Sequence, residues 1–190
     1  MRNKFKNQKG FTVLESIVAI FILSLSVSGA FSAVQQSFSQ AIIAKDEVRA
    51  FYLAQEAVEI IRNKRDVNQL NKIINGSANT WLTGIAQNSA DPCYFGKTCR
   101  MDAKSYDPAN PPFGFVNCGA GWGSCPNINQ DPNTFLYSYG AFPATNFKRE
   151  VQIESIAGTT DEVAIVVRVS WTKGLMIQEF KIRAYLFNWI

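Results

Sequence analysis

Between Phe11 and Ile43 the chain carries one charged side chain, Glu15, in a run of Val, Ile, Leu, Phe and Ala. A carboxylate at the centre of a transmembrane helix costs about 2.5–3.5 kcal/mol, and less near the interface. At the fifth position of the apolar run, Glu15 belongs toward the interface. Two chemistries suit it there: contact with water, or an ion pair with a cation, strengthened by a low dielectric. Just upstream, Gly10 precedes Phe11 and offers no side chain to obstruct attack on the bond between them. Cutting that bond would create an α-amino group on Phe11, with a free pKa of about 8, four residues before Glu15.

The other residues with chemical potential are Cys93, Cys99, Cys118 and Cys125. Their gaps, C-x5-C and C-x6-C, differ from the close C-x2-C spacing of zinc sites. The chain has no histidine, the commonest general base and metal ligand. Disulfides are therefore expected, with no metal. Three pairings are open; the local pairs Cys93–Cys99 and Cys118–Cys125 close the shortest loops and are the expectation. Asp91, Asp102, Asp107 and Asp131 lack the spacing of a calcium loop and read as turn residues. No nucleophile–base pair, phosphate-binding glycine loop or metal motif is present, so neither an enzyme nor a cofactor is expected.

The elements that must hold these residues begin with the apolar run. Phe11 to Val34 is long enough to span a bilayer core, which takes about 20 residues. It is longer than the apolar region of a secretory signal and contains an acid. Ser28, Gly29 and Ala30 nonetheless imitate a secretory cleavage site, which is the alternative reading. Arg2, Lys4, Lys6 and Lys9 precede the run, and Lys45, Asp46, Glu47 and Arg49 follow it with mixed signs. The positive-inside rule puts the N-terminus in the cytoplasm and everything after about Gln40 outside the inner membrane. Removing the four leader cations from the nineteen basic residues leaves fifteen, equal to the fifteen acids. That balance gives no footprint for nucleic acid.

The run Lys9-Gly10-Phe11-Thr12-Val13-Leu14-Glu15 resembles the type III signal of type IV prepilins and pseudopilins. The resemblance covers about the first 35 residues. It implies that a prepilin peptidase cuts between Gly10 and Phe11 and N-methylates Phe11. It also implies that Glu15 pairs with the new amino group of an adjacent subunit, setting axial register. The implied partners are the peptidase, other pilins or pseudopilins, the inner membrane and its assembly platform.

No proline occurs between Phe11 and Asp91. Val48, Phe51, Gln55, Val58 and Ile61 step at helical spacing, widened by Leu53, Ala54 and Ala57, with Arg49, Glu56, Glu59 and Asn63 opposite. A helix from Phe11 to Arg62 would be about 78 Å long, so its outer half needs a globular partner; Asn63 to Asp66 is where it should weaken. Gly29 fits close helix packing better than a hinge. The run LAQEAVEIIRNKRD loosely resembles minor pilins.

Asn75 to Asn146 holds all seven prolines and reads as loops, with Trp81-Leu82 ending a short helix. Asn75-Gly76-Ser77 has the pattern of a glycosylation sequon. Tyr94, Phe95, Phe113, Phe115 and Trp122 suggest packing around disulfides before a carbohydrate-binding patch.

From Phe147 onward strand signals dominate. Val151 and Ile153 lie in one strand, and Val163, Ile165, Val167, Val169 and Trp171 alternate against Arg168 and Ser170. Gly174 marks a hairpin, and a last strand carries Phe180, Ile182, Ala184 and Leu186 on one face. The segments Phe147–Val151 and Leu186–Trp189 also loosely resemble minor pilin C-termini. The fold class is α+β: a long N-terminal helix packed on a C-terminal antiparallel sheet of three strands. The divisions are a removable leader (1–10), a membrane or filament-core helix (11–40), an amphipathic half (41–66), a loop-rich region (67–146) and the sheet (147–190). The leading functional expectation is a minor pilin of a type IV pilus. The alternatives are a type II secretion pseudopilin and an anchored adhesin that does not polymerise.

Overall fold

The computed structural model describes residues 10, 12–102 and 114–189. The leader 1–9, Phe11, Asp107 and Phe113 lie outside the described residues. The chain forms two compact units, Met1–Asp46 and Glu47–Ile190. Among the described residues, one helix, α1 (Val13–Asn75), is followed by β1 (Thr98–Met101), β2 (Phe115–Gly119), β3 (Asn129–Gln130), β4 (Tyr137–Ser138), β5 (Phe147–Ser155), β6 (Glu162–Lys173) and β7 (Met176–Phe187). Five strands make one antiparallel sheet in the order β2-β1-β5-β6-β7, and β3 pairs with β4 separately.

The three strands expected after residue 147 are β5, β6 and β7. The β6–β7 hairpin turns through two residues, Gly174 and Leu175, with Gly174 at φ 61°, the left-handed backbone that suits glycine at such a turn. The sheet is wider than expected because β1 and β2 add two short strands from the loop-rich region. Each is too brief for its alternation to stand out from surrounding turns.

One sheet face packs on α1. Phe147, Val151 and Ile153 from β5 join Val163, Ile165, Val167, Val169 and Trp171 from β6, and Leu186 from β7. On the opposite face Ala164 and Val166 of β6 are also buried. Glu154 of β5 stands beside Ala164 and Arg183 of β7 beside Val166, and their 2.7 Å ion pair crosses β6 above both. Small aliphatic residues in the central strand are thus roofed by the stems of charged ones.

The outer half of α1 differs from expectation in two respects. Its buried stripe is Ala50, Leu53, Ala54, Ala57, Val58 and Ile61, whereas Val48, Phe51 and Gln55 are exposed. Alanines let the sheet approach closely, which turns the larger residues to the rim; there Phe51 meets the Phe180 ring edge-on at 5.9 Å. The helix also continues past Asp66 to Asn75. Within the expected weak point, Asn63 to Asp66, Lys64 and Arg65 are buried while Asn63 and Asp66 are exposed, and polar side chains from Arg65 onward anchor the helix. The Asn68 amide donates to the carbonyls of Trp81 (3.2 Å) and Thr83 (2.8 Å), and Gln69 donates to Asn188 (2.6 Å). Arg65 donates to the Phe187 carbonyl at 2.6 Å. Gly76, with φ 58°, then closes the helix in the left-handed conformation that often ends one. Trp81 and Leu82 lie in a run of turns, not at the end of a helix, and are buried with Ile85 and Ala86.

Candidate processing and assembly site

The helix start is built by Thr12. Its carbonyl accepts the first helical bond, from Ser16 N–H at 3.2 Å, and its hydroxyl accepts the Glu15 N–H at 3.3 Å. Thr12 is therefore the N-cap, and Thr12-x-x-Glu15 has the residue types and spacing of a capping box. Glu15 lies in the first turn, where the helix dipole favours a negative charge. This second reason for an acid at Glu15 was legible in the Thr-x-x-Glu spacing and was missed.

Gly10 is exposed, and a Cβ added there would meet nothing within 4 Å. The backbone before Phe11 is open to an enzyme. Phe11 lies outside the described residues; in sequence, the α-amino group that cleavage would make precedes Glu15 by four residues.

Downstream, Val13 to Ala44 leaves Leu, Ile, Val and Phe side chains exposed. Over 18 residues α1 is apolar and long enough to cross a membrane. Its serines suit such a setting. Ser24, Ser26, Ser28, Ser32 and Ser37 each donate to the carbonyl four residues earlier, at 2.8–3.0 Å. Those hydroxyl donors need no water.

The cysteines form the two local disulfides, Cys93–Cys99 and Cys118–Cys125, with Cα separations of 5.1 and 5.0 Å. The loop-closure effect of links this short is about 2 kcal/mol each. The first ties the turn region to β1 among core residues. The second closes a loop on the sheet face away from α1. The buried Glu150 carboxylate accepts the N–H of Gly123 (2.7 and 2.9 Å to its two oxygens) and of Cys125 (3.1 Å). Trp122 of the same loop has the Arg168 and Lys181 cations 5.7 and 5.3 Å from its ring centroid. Of the other aromatics weighed as a surface patch, Phe115 is buried and Phe95 packs against the core. Two of the aspartates serve turns: Asp91 accepts the N–H groups of Gln87 and Asn88, and Asp131 that of Asn133; Asp102 instead accepts the distant Tyr139 N–H at 3.0 Å. No group of three or more His, Cys, Asp or Glu among the described residues is placed to hold a metal ion.

Sequence reasoning gave no role to Arg149, which locks α1 to the sheet. Its buried guanidinium donates to the carbonyls of Leu53 (3.0 Å) and Met101 (2.7 Å) and pairs with the Glu56 carboxylate. The Tyr139 hydroxyl donates to the Arg149 carbonyl at 3.3 Å. Burial pushes the Tyr139 hydroxyl above its ordinary pKa, against the opposing charges of Arg149 and Arg100.

Residues 5–31 match the family model of the prokaryotic N-terminal methylation motif. No curated protein and no solved structure matches the chain.

Proposed function

Because residues 5–31 carry the type IV prepilin signal, we propose that this chain is a minor structural subunit of a type IV pilus, made as a precursor and not an enzyme. Prepilin peptidase removes residues 1–10 and methylates Phe11. The inner membrane holds α1 until the assembly platform moves it into a filament, where its apolar half packs among those of other pilins. The observation that carries this reading is a capped, apolar helix whose side chains lie uncovered, with one acid at the fifth residue after the bond to be cut.

Three physical requirements support it. The Gly10 backbone is accessible. Glu15 follows the amine that cleavage creates by four residues in sequence, and in a packed bundle its carboxylate can pair with the amine of a neighbour. The serine hydroxyls are satisfied within the helix, so the segment suits both lipid and a helical bundle. The minor-subunit reading draws on the segments at 53–66, 147–151 and 186–189. Their residues join helix to sheet through Glu56–Arg149 and Arg65–Phe187.

The test is Glu15→Ala in the native host. The variant is expected to insert and lose its leader normally, yet be missing from sheared surface filaments. Incorporation equal to the native chain would refute the role of Glu15, and no surface filament containing either chain would refute the pilus reading.

A further inference from the structure

The second unit exposes apolar side chains at the end where α1 enters it. Arg149 of β5, Val169 of β6 and Phe180 of β7 form one cross-strand row. That row is level with Leu53 and Phe51 of the helix, through Arg149–Leu53 and Phe51–Phe180. At the other end, Arg65 and Gln69 meet Phe187 and Asn188. The β6–β7 turn therefore runs from the row toward the entry of the helix, over about 15 Å of strand.

This turn ends in Leu175, Met176 and Ile177, with relative exposures of 105%, 65% and 70%. Gly174 to Gln178 contains no charge. A value above 100% marks Leu175 as a projecting point rather than part of a groove. The β3–β4 turn adds Phe135 and Leu136, also exposed, near Tyr52 and Arg49 of α1. Phe135 has φ 59°, a conformation that costs a non-glycine residue about 1–3 kcal/mol. It is held by its N–H to the Asp131 carbonyl (2.8 Å) and by Gln130 donating to its own carbonyl (2.9 Å). Backbone strain is thus retained at a residue whose apolar ring faces water.

We propose that these two turns form a foot that rests in the lipid interface while α1 is anchored in the membrane. The inference uses only the membrane-anchor part of the functional reading, not filament assembly. Lipid fits better than a protein partner for two reasons. Projecting tips lack the concave complementarity of a protein pocket, but a fluid interface accepts any apolar protrusion. The helix entering at this end also continues, in sequence, from the apolar stretch that ends at Ala44, and Lys45 and Arg49 follow it directly. Aromatic and basic residues at that level are those that suit an interface, and Tyr52 is exposed among them.

The four native cysteines are paired, so Leu175→Cys supplies one free thiol for a polarity-sensitive fluorophore. The full chain is reconstituted in vesicles of phosphatidylethanolamine and phosphatidylglycerol. Thr160→Cys, in the β5–β6 turn at the other end, is the control. Nitroxide-bearing lipids should quench the label at 175 several-fold more than at 160, and dilution of protein in lipid should not change this. Adding Ile177→Asp should lower quenching at 175 while leaving thermal unfolding unchanged, because Ile177 is exposed. Equal quenching at both sites in a chain that resists carbonate extraction overturns the foot and spares the anchor. Shielding that disappears on dilution also overturns it, by assigning the tip to a second copy. Extraction of the chain by carbonate overturns the anchor and the foot together.

Discussion

From Val13 to Ala44, α1 turns Leu, Ile, Val and Phe outward, whereas from Ala50 to Gln69 it keeps alanines, aliphatics and a few anchored polar groups against a sheet. The backbone is the same helix in both stretches. What differs is who satisfies and covers the side chains. In the first stretch the serine hydroxyls bond to their own helix, so only an apolar surrounding is lacking. In the second, polar side chains reach across to carbonyls of other segments. The first stretch suits any apolar neighbour; the second has one fixed neighbour. A subunit that leaves a bilayer for a bundle of like helices needs both properties in one element.

The comparison can be broken most sharply by a buried charge. Ala57 is fully buried, and Ala57→Asp should unfold the second unit, since an unpaired buried charge costs at least several kcal/mol. Ala33→Leu, in the exposed stretch, should leave the same melting transition where it was. Circular dichroism in detergent would read both. A shift of equal size for the two would mean that the stretches are packed alike.

A smaller effect is expected where the helix is fastened. Arg149→Ala leaves the Glu56 carboxylate and two carbonyls without their donor and should cost about 3 kcal/mol in urea unfolding. Arg149→Met, which retains volume, should cost less. A negligible loss in Arg149→Met would argue that packing, not the ion pair, is the fastening.

Smallest is the effect of alkali. Burial raises the Tyr139 pKa above its ordinary value near 10. A raised folded-state pKa adds stability that is complete below the unfolded value and is lost as pH rises through the folded value. The second unit should therefore weaken above about pH 10. Tyr139→Phe should lose part of that alkaline slope, along with about 1 kcal/mol for the hydrogen bond to the Arg149 carbonyl.

How much of this was legible in the sequence follows from the range over which each signal acts. The prepilin run is contiguous, and β6 alternates for most of its length, so both could be read locally. The Cys93–Cys99 and Cys118–Cys125 links also join near neighbours. By contrast, Arg65, Asn68 and Gln69 look like the frayed end of an amphipathic helix; their burial depends on Trp81, Thr83, Phe187 and Asn188. Glu150 and Arg149 are adjacent charges that face opposite sides of one strand, one toward a disulfide loop and one toward the helix. Nothing local marks either as buried. At the candidate site, Gly10 and Glu15 were legible, while the cap made by Thr12 was overlooked although its spacing was in view.

The central claim is that the chain matures by losing its basic leader. Intact and N-terminal peptide mass spectrometry of the protein from its native host tests it most directly. The account predicts a chain that begins with methylated Phe11. A chain that retains Met1, or that starts after Ala30, would contradict it.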